Sequence, residues 1–385
     1  MISIELRATD TLFFGPGVPF AAEGIQVDVP GVFPPYPATL VGAIRAWLAR
    51  SQGWSGRGRW PSRLNPVLGD GPANLGALQF SGPYLLRDGE RLFPVPSCVL
   101  GSTQLGDGAV SPWLPVASLR PGPPVRCDLG ADVRLPVIDR PHKGRGRLRP
   151  GHGLWLTRAG LQAVLCGELP AAVDIVAAEE LWRDERRVGI ERDRESRSAK
   201  EGMLYSCRHV RLASNVGLGL RVRGVPGDWE PTLFRERTLS LGGESRTATC
   251  ERWSEDSGGM NDTNVDRGDP SGRVMLVSLT PIDLGKSLVP GENLLGEHGG
   301  VRIISACIGR ALRIGGWNSL EHRSLPLRTH LPPGTVIFGE AIEPRRLRAA
   351  CAENGGIVSI GDQQPWGFGE VALATWTDNN VKEER

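Results

Sequence analysis

ISIELRA at residues 2–8 alternates apolar and polar side chains; after it come the turn-rich residues Leu12-Phe13-Phe14-Gly15-Pro16-Gly17, and Phe33-Pro34-Pro35-Tyr36-Pro37 delivers the chain to TLVGAIRAWL at 39–48. The two-residue period predicts a β-strand over Ile2–Ala8. In the last segment Leu40, Ile44, Trp47 and Leu48 fall at i, i+4, i+7 and i+8, one face of a helix for which Thr39 is the expected N-cap. Strand, loop and amphipathic helix in this order open a β-α-β unit.

Further along, Leu78–Ser81 and Tyr84–Leu86 read as two short strands. Composition then shifts: from 134 to 149 the bases Arg134, Arg140, Lys143, Arg145, Arg147 and Arg149 face one acid, Asp139, and the stretch predicts a basic loop or insertion. Thr157 precedes a short helix bearing Leu161, Val164 and Leu165, stopped by Gly167. Arg187–Ile190 and Met203–Leu212 are strand signals around the polar segment 191–202, which predicts an extended hairpin. Residues 254–272 are polar and predict a loop. Strands are expected at Val274–Leu279, Ile303–Ile308, Val336–Ile342 and Val371–Trp376, with a helix over Pro344–Ala352. The repeated strand–helix–strand order predicts an α+β chain of two units, 1–215 and 216–385. No internal period is visible, which excludes solenoids and propellers.

Net charge is only +2, so the whole molecule does not advertise a polyanion partner, yet 41 of the 45 basic residues are arginine. The guanidinium fork suits phosphate and stacks on bases; a GC-rich genome would also enrich arginine. The seven cysteines are never closer than 29 residues, which fits neither a disulfide framework nor a zinc site and predicts buried thiols in a reducing cytoplasm. No stretch approaches the roughly 20 apolar residues of a membrane span. The charged strand pattern of MISIELRATD is not expected to be a signal peptide.

Several segments, taken in order, resemble the third-subunit family of the Cmr complex, the type III-B CRISPR effector, within the RAMP superfamily. They are Asp10–Phe14 with Pro19-Phe20, Phe33–Pro37 leading into Gly42-Ala43-Ile44-Arg45, Glu185–Ile190, Glu201–Tyr205, Gly315-Gly316-Trp317-Asn318, Pro333–Val336 and Gly367–Glu370. The resemblance implies two ferredoxin-like (RRM-like) RAMP domains with large loop insertions and a glycine-rich loop near the C-terminus. It implies a non-catalytic, cytoplasmic subunit of an antiviral ribonucleoprotein that binds the repeat-derived 5′ tag of CRISPR RNA. Its partners would be that RNA, the large polymerase-like subunit and the adjacent backbone RAMP subunit, with no membrane and no cofactor. The equivalent subunit of a type III-A (Csm) complex is an alternative.

Candidate RNA-binding residues follow from charge and turn chemistry. Arg192, Arg194, Arg197 and Lys200 lie in the hairpin segment 191–202, either as an RNA grip or as a solvated tip neutralised by nearby acids. Arg145, Arg147 and Arg149 form a second basic stretch with fewer acids. Ser245 and Arg246 follow Gly242-Gly243 and suit a phosphate, or simply a turn. Trp366, Gly367, Phe368 and Gly369 combine stacking rings with glycine N–H groups that can cradle a phosphate; the other reading is a tight turn with Trp366 packed in the core. The rings of Phe13, Phe14, Phe33 and Trp317 are expected to form exposed apolar patches. Catalysis is the rival class: a metal-independent endoribonuclease would use a histidine, typically early in the chain, whereas the first here is His142. Tyr205 and His209, four apart on a strand, share a face and are the one candidate pair. No metal-ligand spacing and no G-x-x-x-x-G-K-[ST] loop occurs.

Overall fold

The computed structural model describes residues 1–377 except 18–26, 104–111, 129, 140–146, 194, 236, 255–271 and 354. Pro19, Phe20, Arg140, His142, Lys143, Arg145, Arg194 and nearly all of the 254–272 segment therefore lie outside the described residues, as does the Lys200 side chain.

Mixed α+β architecture holds, rich in strands and poor in helices. Ile2–Ala8, Gln79–Arg87, Val216–Arg223 and Thr247–Arg252 form the centre of an eight-stranded antiparallel sheet, in spatial order second, third, first, fourth. Arg273–Ser278, Val301–Cys307, Val336–Ala341 and Glu370–Thr375 repeat that order at the centre of a six-stranded antiparallel sheet. The strands after residue 215 stay in the first sheet through Arg252, because Val216–Arg223 lies between the first two strands and Thr247–Arg252 flanks Ile2–Ala8. The change of sheet falls between 252 and 273.

The opening helix runs Pro37–Ser51. It starts at proline rather than on a Thr39 cap: Pro37 pre-sets φ for the first turn, and Tyr36 occupies the cap with no side-chain bond. Leu40, Ile44, Trp47 and Leu48 are buried against Ile4, Leu6, Leu218 and Leu220 of the first sheet. Each such side chain contributes roughly 1.5–3 kcal/mol by leaving water. The two strands expected at 78–86 are one, Gln79–Arg87, continuous through Gly82-Pro83. Thr157 caps Arg158–Leu165 as expected, its hydroxyl accepting from the Gly160 N–H.

Both faces of the second sheet are covered, which explains the unbroken apolar run at 274–277. Met275, Val277, Phe338 and Trp376 pack with Phe93, Leu161 and Leu165, so one core joins the two sheets. Leu276, Ile337 and Leu373 pack on the other side with Leu347 and Cys351 of the helix Pro344–Glu353.

Three further strand pairs flank these two sheets. Trp182–Arg192 and Ala199–Leu212 form the long hairpin, as expected but longer, and Val27–Val29 adds to it in parallel. Leu114–Cys127 pairs with Gly130–Ile138, so part of the expected basic loop is an ordered hairpin, presenting Leu135 and Val137 to solvent. Leu312–Asn318 and Arg323–His330 form a separate two-stranded ribbon. All seven cysteines are free, five of them buried and two half-buried. Among the described residues no helix is long and apolar enough to cross a membrane.

Candidate nucleic-acid interface

Three segments that are far apart in sequence meet at the base of the long hairpin. Leu12 and Val210 exchange backbone hydrogen bonds, which pins the Asp10–Phe14 segment against the strand Ala199–Leu212. The Gly242–Arg246 turn then docks on that segment, the Gly243 N–H donating to the Phe13 carbonyl at 2.8 Å. Gly242 has φ +79°, and a Cβ there would sit 2.3 Å from the Phe13 oxygen, so only glycine allows this approach.

Strand register places Glu185, Arg187, Tyr205, Cys207, His209 and Arg211 on one face of the hairpin. Arg187 donates through Nε to Glu185 and through Nη2 to Asp10 at 3.0 Å. Arg211 donates through Nε to the other Glu185 oxygen at 2.7 Å and reaches Asp10 at 3.0 Å. From the turn, Arg246 adds an Nη1 bond to Asp10 at 3.3 Å. Three guanidiniums thus share two carboxylates. The backbone N–H of Thr11 and the Arg187 guanidinium hold the Asp10 carboxyl below its usual range, and the bonds from Arg211 and Arg187 do the same for Glu185. The carboxylates in turn raise Arg187 and Arg211, so all of these groups stay ionised. A guanidinium has five N–H donors, and the acids occupy only one side of each fork. The outward edges remain as oriented donors for an anion with three or more oxygens.

Beneath them His209 is buried, with the Phe13 ring stacked on it at 5.3 Å. Burial, with the positive field of Arg246 and Arg187, lowers its pKa and keeps the ring neutral. Its Nδ1 lies 3.1 Å from the Thr11 hydroxyl and its Nε2 lies 3.5 Å from the Cys207 sulfur. Burial raises the Cys207 thiol and keeps it protonated, and the donor and acceptor roles along Thr11, His209 and Cys207 follow the imidazole tautomer. Tyr205 shares the face but its ring lies over Gly189, where a Cβ would come within 2.4 Å of Cζ.

At the hairpin tip, Asp193 accepts from the backbone N–H groups of Glu195 and Ser196, and Arg192 donates through Nε and Nη2 to the Arg197 carbonyl. The Nε and Nη2 edge of Arg192 is therefore held by the tip's own backbone, while Arg197 stands exposed at φ +54°. Arg147 and Arg149 are exposed elsewhere, Arg149 in a two-residue strand whose carbonyl accepts from the Trp113 indole. Ser245 sits in the docked turn at φ +54° beside Arg246.

The glycine-rich loop lies apart from this face. Its N–H groups do not form the expected phosphate cradle, because they are already taken: Trp366 donates to Gln363, Gly367 to Gln364 and Gly369 to Pro281, all within the chain. Gly367, at φ +90°, approaches the Gly82 carbonyl rather than a ligand. Phe368 is buried against His330, and only Trp366 is partly exposed, bridging to Phe80 of the first sheet. Phe13 and Phe14 are buried too, and Phe33 is half-buried; of the four rings expected in apolar patches only Trp317 is well exposed. The interface arginines 187 and 211 escaped the sequence reading because each looks like an ordinary charged strand residue until the register aligns them.

A family model described as CRISPR-associated protein (Cas_Cmr3) matches residues 4–376. Among solved structures, the chain is similar to one in the cryo-EM structure of the Type III-B Cmr-beta bound to cognate target RNA and AMPPnP, state 1. The two are 16% identical, with 91% of this chain and 88% of that chain covered at a TM-score of 0.48. It is also similar to a chain in the crystal structure of the Csm3-Csm4 subcomplex in the type III-A CRISPR-Cas interference complex, at 10% identity. That match covers 98% of this chain and 100% of that chain at a TM-score of 0.41. No curated protein sequence matches. The family match bears out the resemblance read from the seven segments: the chain belongs to the Cas_Cmr3 family of CRISPR-associated proteins.

Proposed function

We propose that this protein is a non-catalytic RNA-binding subunit of a type III-B CRISPR RNA-guided effector, that it holds the repeat-derived 5′ tag of the CRISPR RNA, and that it works in the cytoplasm in antiviral defence. The observation that carries the reading is the convergence of Asp10–Phe14, Glu185–Arg187, Arg211 and Arg246 into one face of oriented guanidiniums. Arginines held by carboxylates lose little freedom on meeting a phosphate, which favours them over loose side chains. Ser245 beside Arg246, Arg197 at the hairpin tip, and Arg147 and Arg149 are further cations for the same strand. We read the two sheets of order second-third-first-fourth as two ferredoxin-like units of the RAMP type.

Assembly with a large polymerase-like subunit and an adjacent backbone RAMP subunit is supported by exposed apolar residues on both hairpins. Leu135, Val137, Val188 and Ile190 are 43–65% exposed, a surface that suits partners better than water. The type III-A equivalent differs only in the assembly joined. The endoribonuclease reading is disfavoured for the Tyr205/His209 pair because both His209 nitrogens are engaged inside the protein.

The test is binding and cleavage of labelled repeat RNA. Tagged RNA should bind more tightly than RNA with a scrambled tag and remain intact with or without magnesium. Specific cleavage that disappears in His209→Ala would replace this reading by the enzymatic one.

A further inference from the structure

We infer a second RNA site that none of the arginine candidates includes: the cavity between the two sheets receives one unpaired nucleobase and holds its phosphate at the mouth. This rests on the RNA-binding reading above, though on different residues. The cavity is about 470 Å³, within the range of small-ligand pockets, and its walls come from the first sheet, the connections 279–281, 309–310 and 332–333 next to strands of the second, the 32–36 segment and the start of the long hairpin.

Its lining decides the ligand class. Phe33, Trp182 and Trp155 stand edge to face in a row, with ring centroids 4.7 and 6.4 Å apart, and all three are only partly buried. Such a row is a stacking platform for planar rings. At the floor Arg91 is 3% exposed, its guanidinium 3.6 Å from the Tyr84 ring centre, and its Nε–H has no partner. Glu370 already neutralises this cation at 3.5 Å, so the floor wants a neutral hydrogen-bond acceptor rather than an anion. An aliphatic or phenyl side chain from a partner protein would leave Nε–H orphaned; the ring nitrogens and carbonyl oxygens of a base would not. The mouth has the opposite character. Arg310 and His152 are exposed there, Arg310 makes no ion pair among the described residues, and no carboxylate lines the cavity. Base inward and phosphate outward is the orientation these charges select. A smaller cavity of about 230 Å³ shares Val32, Phe33 and Trp182 and extends to Asp184 and Arg208 of the hairpin, which pair with each other.

The experiment titrates the full chain with adenosine, with the four nucleoside 5′-monophosphates and with tag RNA, read by tryptophan fluorescence and by filter binding. Trp155→Leu should weaken all of them about tenfold, the expected loss for one stacking ring. Arg310→Ala, on an exposed residue that leaves the fold intact, should weaken the monophosphates and RNA but not adenosine. Arg246→Ala should spare the mononucleotides. Unchanged mononucleotide affinity in Arg310→Ala and Trp155→Leu overturns the inference, as does loss of a co-purifying protein partner in these variants with nucleotide binding intact. A wild type that binds mononucleotides through Trp155 yet ignores tag RNA would sink the proposed function and leave this site standing.

Discussion

Two glycine turns in this protein do opposite things with arginine. At Gly242–Arg246 the positive-φ glycine lets the turn press on the Phe13 carbonyl, and the result is outward-facing: Arg246 joins Arg187 and Arg211 around Asp10 on an open face. At Gly361–Glu370 the same device, Gly367 against the Gly82 carbonyl, turns inward: Glu370 accepts from the Gly82 N–H, the Tyr84 hydroxyl and Arg91, all on the first sheet. The Phe80 N–H donates to Pro365 across the same seam. One turn builds a surface, and the other staples two sheets. The difference is whether solvent reaches the charges, because a solvated guanidinium is available to RNA while a buried pair is a structural commitment.

The largest effect should follow from cutting the inward staple. Glu370→Ala leaves the Arg91 cation buried without a counter-charge and strands the Tyr84 hydroxyl, and breaking a buried pair from one side costs about 3–5 kcal/mol. Denaturant unfolding should show that loss, with Arg91→Met/Glu370→Gln recovering much of it. A Glu370→Ala protein as stable as the parent would mean the seam is open to water and the contrast between the turns is false.

Next in size is RNA affinity. Arg187→Ala, Arg211→Ala and Arg246→Ala together remove three oriented cations, and each lost single-strand phosphate contact flattens the log K against log salt slope by about 0.7, so a change near 2 is expected. Stability should move little, since exposed ion pairs contribute about 0–1 kcal/mol each. The pair Arg192→Ala and Arg197→Ala should change the slope by less, because one backbone carbonyl rather than a shared pair of carboxylates orients the Arg192 fork. The reverse ranking would move the grip from the hairpin base to its tip.

Period and order made much of this fold readable. Ile2–Ala8 and the Leu40–Leu48 face could be read directly, since each buries one side against one core. The long hairpin was legible from two strand signals around a polar tip. Helix start and sheet membership were not: Thr39 has the right chemistry for a cap, but Pro37 fixes the first turn earlier. The strand Val216–Arg223 belongs to the first sheet because it hydrogen-bonds to Ile2–Ala8, a pairing across more than 200 residues that local pattern cannot reveal. The glycine-rich loop misled for a related reason. Sequence shows that N–H groups are free of side-chain bulk, not that Gln363, Gln364 and Pro281 carbonyls already accept from them. Arg187 and Arg211 became visible only once register aligned them with Asp10.

The smallest expected effect uses one histidine from each region. His209 under the open face and His330 beside Phe368 are both buried, and burial lowers both pKa values from 6.5. A lowered histidine binds its proton more readily unfolded than folded. Its contribution is therefore full above about pH 6.5 and is lost as pH falls through that value toward the folded pKa. Both should contribute to such an acid-side decline, and His209→Asn or His330→Asn should each flatten part of it. RNA separates the two. Phosphates seated on Arg187 and Arg246 would offset the positive field that helps hold His209 down, so saturating tag RNA should raise the His209 pKa measured by NMR. His330, whose charged neighbours are Asp283 and Arg328, should not respond. Equal shifts in the two histidines, or a shift in His330 alone, would put the phosphates beside the glycine-rich loop instead of on the hairpin base.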